Sequence, residues 1–142
     1  MKPSDLNKET LNTWNKIAGL YHEKFMDISL YNDSYLSFCS KFSLPNAKLL
    51  EIGCGPGNIT RFIKNKLPSA TIFAVDYAPA MINLAKENVP DVSFEVMDAR
   101  SISTIHQKFD GIICGFIIPY LNSDECQEFI QNCAEKITKN GW

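Results

Sequence analysis

Apolar and polar positions along this chain follow a helical rhythm first and then a mixed one. Leu11, Trp14, Ile17, Ala18 and Tyr21 recur at three- and four-residue spacing, which predicts an amphipathic helix from Leu6 to Phe25. Tyr31, Tyr35, Phe38 and Phe42 form a second aromatic stripe, and Trp14, Phe38 and Phe42 read as simple cover for a sheet. From Leu49 onward short apolar runs alternate with helical periods. Strands are predicted at Leu49–Ile52, Thr71–Val75 (TIFAV), Val92–Val96 (VSFEV) and Phe109–Phe116 (FDGIICGF). Between them Ile59, Phe62, Ile63 and Leu67 keep helical spacing, and the stretch DYAPAMINLAKEN from Asp76 opens another helix. A last helix is capped by Asn122 or Ser123 and carries Asp124 and Glu125 in its first turn, where the dipole favours acids. Its stripe is Cys126, Phe129, Ile130, Cys133 and Ile137, and Lys139, Asn140 and Gly141 signal its end. Strand and helix in repetition predict an α/β fold with a parallel sheet.

The junction after the first strand carries the chemistry. Glu51 is followed by Gly53, Gly55 and Gly57 at every second position. Glycine takes positive φ at little cost and lets a ligand approach the bare backbone, so this strand-to-helix loop reads as a site for a nucleoside-bearing cofactor. The spacing excludes the nicotinamide and flavin fingerprint G-x-G-x-x-G, whose third glycine would fall where Asn58 stands. Asp76 ends the second strand, 19 residues beyond Gly57, as an acid that accepts from ribose hydroxyls would. Singly, Asp76 or Asp98 reads equally well as a turn or cap residue. In order, with strand, acid and helix repeating, they read as one site.

Glu51-x-Gly53-x-Gly55-x-Gly57, Asp76 with the following helix start, Met97-Asp98-Ala99 and Phe109-Asp110 together resemble the ordered motifs of the Rossmann-like, class I S-adenosylmethionine-dependent methyltransferases. The match runs from about Trp14 to the last residue. The resemblance implies S-adenosyl-L-methionine as cofactor, with Glu51 at its methionine part, Asp76 on the ribose and the Gly53–Gly57 loop, Cys54 included, against its backbone. It further implies that Tyr77 and Met81 flank the adenine, that the Asp98 carboxylate accepts from the adenine amino group, and that the Ala99 N–H donates to a ring nitrogen. WNKIAGLYHEKF resembles the family's N-terminal segment, in which an aromatic, here Tyr21, closes over the cofactor. Residues 1–43 are then a helical lid or cover and 44–142 the cofactor-binding domain.

The family strand order is 3-2-1-4-5-7-6, and this chain supplies strands for 3-2-1-4 alone, lacking strands 5 to 7. The expectation is a C-terminally truncated chain with strand four as a bare apolar edge open to self-association. The same resemblance implies methyl transfer to a small-molecule acceptor by in-line displacement. A non-catalytic, cofactor-binding scaffold relative is the alternative, and a nicotinamide-dependent oxidoreductase a weaker one. An N-P-P-Y-like motif of planar-nitrogen methylation is not matched, since IIPY at 117–120 is two residues late and lacks Asn and the first Pro.

Composition narrows the reading further. The chain has 142 residues, 45% hydrophobic and 21% charged, enough for one core. A net charge of −2 without a basic run leaves no footprint for nucleic acid, and no apolar run spans a bilayer or forms a signal peptide, so a cytoplasmic enzyme is expected. Cys39, Cys54, Cys114, Cys126 and Cys133 are odd in number without a C-x-x-C pair, so no disulfide framework or metal site is expected. A catalytic base is not evident. Tyr21, His22, Tyr120 and, more weakly, His106 are the candidates.

Overall fold

In the computed structural model, residues 3–142 are described, with side chains from residue 7 onward. Two helices, α1 (Pro3–Phe25) and α2 (Asn32–Cys39), precede the repeating unit β1 (Lys48–Ile52), α3 (Asn58–Lys66), β2 (Thr71–Asp76), α4 (Pro79–Asn88), β3 (Ser93–Val96), β4 (Gly111–Cys114) and α5 (Ser123–Lys136). The four strands form one parallel sheet in the order β3-β2-β1-β4, as expected from the motifs.

β1 is central, and Leu49 through Ile52 are buried, as befits a parallel strand covered on both faces. Side chains alternate across it. Leu49 joins Ile59, Ile63, Ile82 and Ala85 beneath α3 and α4, while Leu50 and Ile52 join Val75, Ile102, Phe109 and Phe129 on the face covered by α5. Glu51 therefore shares the face of Leu49, and there Thr60 of α3 donates its hydroxyl to Glu51 Oε2 at 2.5 Å. α1 lies across the carboxyl ends of the strands and packs on α4 through Ala18, Ala78 and Met81. The Ala80 N–H donates to Asn15 Oδ1 at 3.1 Å, which fixes α1 to the first turn of α4.

Local signals set the helix ends. α3 starts at Gly57 with φ 87°, and α4 starts at Pro79, a residue suited to a first helical position. α5 carries a complete capping box: the Glu125 N–H donates to Asn122 Oδ1 and the Asn122 N–H to Glu125 Oε2, each at 2.9 Å.

Several expected boundaries shift. α2 stops at Cys39, short of Phe42, although Phe38 and Phe42 still cover the sheet by packing over Gly111, where a Cβ would meet both rings. β3 begins at Ser93 and β4 narrows to Gly111–Cys114, because Phe116 turns away with φ 64°. Ile130 does not share the buried stripe of α5 and is 61% exposed, whereas Phe129 is buried. Ile137 leaves the helix and bridges Phe109 instead.

The bare edge expected at strand four is also corrected. The chain beyond α5 folds back along it, with the Thr138 N–H donating to Phe109 O, the Trp142 N–H to Asp110 O and the Ile112 N–H to Trp142 O at 2.7–2.9 Å. Lys41 Nζ stands 4.3 Å above the Trp142 ring and adds a cation–π contact to the same edge. The first half of β4 is thus paired from within the chain. Among the described residues no helix is long and apolar enough to cross a membrane.

Candidate cofactor site

One cavity of about 340 Å³ opens at the carboxyl ends of the strands, where ligands bind in open α/β sheets. Gly53, Cys54 and Gly55 form its floor, Asp76, Tyr77 and Met81 one wall, and Met97, Asp98, Ala99 and Arg100 another. Trp14, Tyr21 and Phe25 of α1 close it from above.

The glycine loop is built for close approach. Gly53, Gly55 and Gly57 all have positive φ, at 77°, 54° and 87°. Their surroundings differ. A Cβ on Gly55 would meet only Tyr21 Cε1 at 3.9 Å, so the backbone there faces open space beneath the aromatic lid. On Gly53 it would strike Ile117 Cδ1, from the loop after β4. Gly57 is buried outside the cavity lining, and its Cβ would press on Ala85 Cα at 3.4 Å. Gly57, expected among the cofactor contacts, is placed where α3 comes close to α4.

Asp76 links the loop to the second strand. Its Oδ2 accepts from the Gly55 N–H and its Oδ1 from the Ala78 N–H, both at 2.9 Å. Burial pushes its carboxyl up, while bonds from Ala78, Gly55 and Tyr77 N–H groups pull the other way. Three bonds leave the carboxylate with acceptor capacity for a ribose hydroxyl. Asp98 accepts from the Arg100 N–H at 2.9 Å as the cap of a short helical turn, Ala99–Thr104, and pairs with the Arg100 guanidinium at 3.0 Å. Its second oxygen is held more loosely, 3.3 Å from the same nitrogen, and has capacity for an amino group.

Glu51 lies outside the cavity lining, fully buried under the loop. Burial pushes its carboxyl up to about 8, against the Thr60 bond, with the Asp76 charge adding to the rise. Cys54 is buried, and desolvation raises its thiol well above the ordinary range, so it is a protonated, passive wall. Cys39, Cys114, Cys126 and Cys133 are free thiols as well, and no group of metal-binding side chains gathers among the described residues.

The candidate bases separate. Tyr21 and Tyr120 line the cavity, each edge-on to Trp14 with ring centroids 5.4 and 6.1 Å away. His22 and His106 do not line it, and His106 is exposed. Trp14, expected to be mere cover, is part of the site.

Sequence reasoning missed three other contributors. Arg100 joins four segments: its guanidinium reaches Asp98, Glu125 Oε1 at 2.7 Å, Asn7 Oδ1 at 3.1 Å and Tyr120 O at 3.0 Å. An arginine two residues past a motif acid gave no periodic signal. Tyr35, read only as a member of the second aromatic stripe, lines the cavity from α2. Phe116 takes a left-handed φ of 64° that costs a bulky residue about 1–2 kcal/mol and sets its ring edge-on to Tyr31 at 5.0 Å.

These features fit a nucleoside cofactor: backbone open to approach at Gly55, spare lone pairs on Asp76 and Asp98, and an apolar wall at Met81. Known proteins agree. A family described as methyltransferase domain matches residues 49–141. Malonyl-[acyl-carrier protein] O-methyltransferase of Bacillus anthracis is 28% identical over 141 residues, covering 96% of this chain and 51% of that protein. Trans-aconitate 2-methyltransferase of Variovorax paradoxus is 37% identical over 87 residues, 61% of this chain and 34% of that one. The chain thus spans about half or less of the length of these relatives. Among solved structures, a DhpI–SAH complex superposes with a TM-score of 0.75 at 20% identity, covering 96% of this chain and 66% of that chain, which shows the shared fold. With its family match covering most of the sequence and the sheet order its motifs imply, this chain belongs to the methyltransferase-domain family.

Proposed function

We propose that the chain binds S-adenosyl-L-methionine and serves transfer of its methyl group to a small-molecule acceptor. The observation that carries this reading is one cavity at which Gly53–Gly55, Asp76 and Asp98 meet from three successive strand ends. Asp76 would take the ribose hydroxyls, Tyr77 and Met81 would flank the adenine, and Asp98 with the Ala99 N–H would read its edge. Glu51 would serve the methionine part. Residues 1–43 act in this reading as a helical cover, since Trp14, Tyr21 and Phe25 roof the cavity.

Bound S-adenosylmethionine supplies an already activated methyl group. The protein's part is to place the acceptor atom about 3 Å from it and in line, which is an effective-molarity contribution. Tyr21 and Tyr120, whose rings line the cavity beside Trp14, would orient an acceptor in this reading. On the acceptor side Phe25, Ile28, Tyr31 and Phe116 line the cavity, and the one cation of the lining among the described residues, Arg100, already faces Asp98 and Glu125. This supports an uncharged, apolar acceptor. The net charge of −2 accords with a cytoplasmic enzyme that has no nucleic-acid partner.

Calorimetry with S-adenosylhomocysteine tests the cofactor. Binding is expected, and Asp76→Asn should weaken it by about 1.5–3 kcal/mol, the range of one hydrogen bond to a charged group. No heat with the wild-type protein sinks the reading, and an unchanged affinity in the variant removes Asp76 from the ribose. Turnover of a methyl acceptor by the protein separates an enzyme from a binding scaffold.

A further inference from the structure

Among the described residues two buried side-chain atoms have no hydrogen-bond partner, the Tyr35 hydroxyl and Glu51 Oε1. Native folds rarely leave such groups unpaired; Tyr35 lines the cavity and Glu51 lies directly beneath its glycine floor, so the two orphans point to a missing ligand. Tyr35 is 7% exposed and reaches the cavity from α2, its ring edge-on to Phe62 of α3 with centroids 5.4 Å apart. Glu51 sits beneath the glycine loop with its other oxygen occupied by Thr60. Tyr35 packs in the cluster of Leu49, Cys54 and Ile59, and Glu51 shares the Leu49 face of β1, so the two groups lie on the same side of the sheet.

Their chemistries are opposite. The phenol, pushed up to about 12 by burial first and the Glu51 charge second, stays protonated and donates. Glu51 Oε1 accepts. A ligand that satisfies both presents an ammonium and a carboxylate a few ångströms apart, which is an α-amino acid. Among the described residues the cavity lining has no cation free to meet that carboxylate, because Arg100 lies at the Asp98 end and is engaged there. A neutral donor has to take its place.

Resting on the cofactor reading above, we infer that Tyr35 is a cofactor-binding residue, its hydroxyl donating to the carboxylate of the methionine end while Glu51 Oε1 accepts from the neighbouring ammonium. The aromatic stripe of α2 thereby contributes a ligand contact that none of the motifs contains.

The test compares two probes that share the adenosine and the sulfur and differ in the amino-acid tail, S-adenosylhomocysteine and 5′-methylthioadenosine. Tyr35→Phe keeps the ring and its packing and removes only the oxygen. Calorimetry should show S-adenosylhomocysteine binding tenfold or more weaker, the scale of one hydrogen bond to a charged group, with 5′-methylthioadenosine within about twofold. Glu51→Gln should show the same selectivity. An equal loss for both probes in Tyr35→Phe would make the residue structural and overturn the assignment. So would an unchanged affinity for S-adenosylhomocysteine, the result expected if a water merely bridges the two groups. Wild-type protein that binds neither probe would overturn the cofactor reading itself, and this assignment with it.

Discussion

Glu51 concentrates the physics of the site in one residue. A carboxyl pushed up to about 8, from an ordinary 4.5, holds a proton in the fold that it lacks in the unfolded chain over the window between those values. The native state then binds more protons, so its stability contribution is fully present below about 4.5 and is lost as pH rises toward about 8. Thermal melts from pH 5 to 8 should show a falling midpoint, and Glu51→Gln should flatten that fall. A slope identical in the variant would place the titration elsewhere. The glycines separate by environment in the same way. Gly57→Ala forces a side chain into φ 87° and against Ala85, and should cost about 1–2 kcal/mol of stability. Gly55→Ala meets open space, so beyond a similar backbone strain it should chiefly weaken S-adenosylhomocysteine binding. Melting and calorimetry on the two variants would show whether stability and affinity divide as stated.

Elements are held by caps and by crossing hydrogen bonds. The capping box of α5 satisfies two backbone donors, and Asn122→Ala should lower stability by about 1 kcal/mol, read from urea denaturation. Its acid does double service, for Glu125 also takes the Arg100 Nε, and that bond is the main cause holding the Glu125 carboxyl below its ordinary range. Arg100 in this way ties the turn after β3 to α5, to the loop after β4 and to Asn7 on α1. Arg100→Gln should therefore quicken amide exchange in α1 and in the segment around Tyr120 together, with β1 and β2 unaffected. Faster exchange confined to the Ala99–Thr104 turn would show that the guanidinium does not connect these elements.

At the scale of the molecule the sheet has two unlike edges. β3 is short, and β4 is followed along its outer edge by the chain's last residues, with Trp142 bonded at Asp110 and Ile112. Removing residues 138–142 should bare an apolar strand and bring self-association, seen by sedimentation as a mass above the monomer. A monomer would show that other cover suffices. The fold and the cavity floor were legible in the sequence because each rests on local pattern: apolar runs for the strands, glycine spacing for the loop, an acid at the ends of β1, β2 and β3. Arg100, Tyr35 and Phe116 were not. Their roles depend on partners such as Asn7, Glu51 and Tyr31, which are distant along the chain and come close only once α1 and α2 have packed over the strand ends.

The parallel order β3-β2-β1-β4 was implied by the family resemblance of the motifs, and by itself the sequence determined the alternation of strands and helices and the placing of Glu51, Asp76 and Asp98 at three strand ends. Those are consequences of local periodicity and of residue types whose backbone demands are strict. Tertiary structure alone decided that Gly57 packs close to Ala85 while Gly55 faces the cavity, that Trp14 roofs the cavity, and that the last residues run along β4. Each of those outcomes depends on which surfaces meet in space, and no spacing along a chain encodes that meeting.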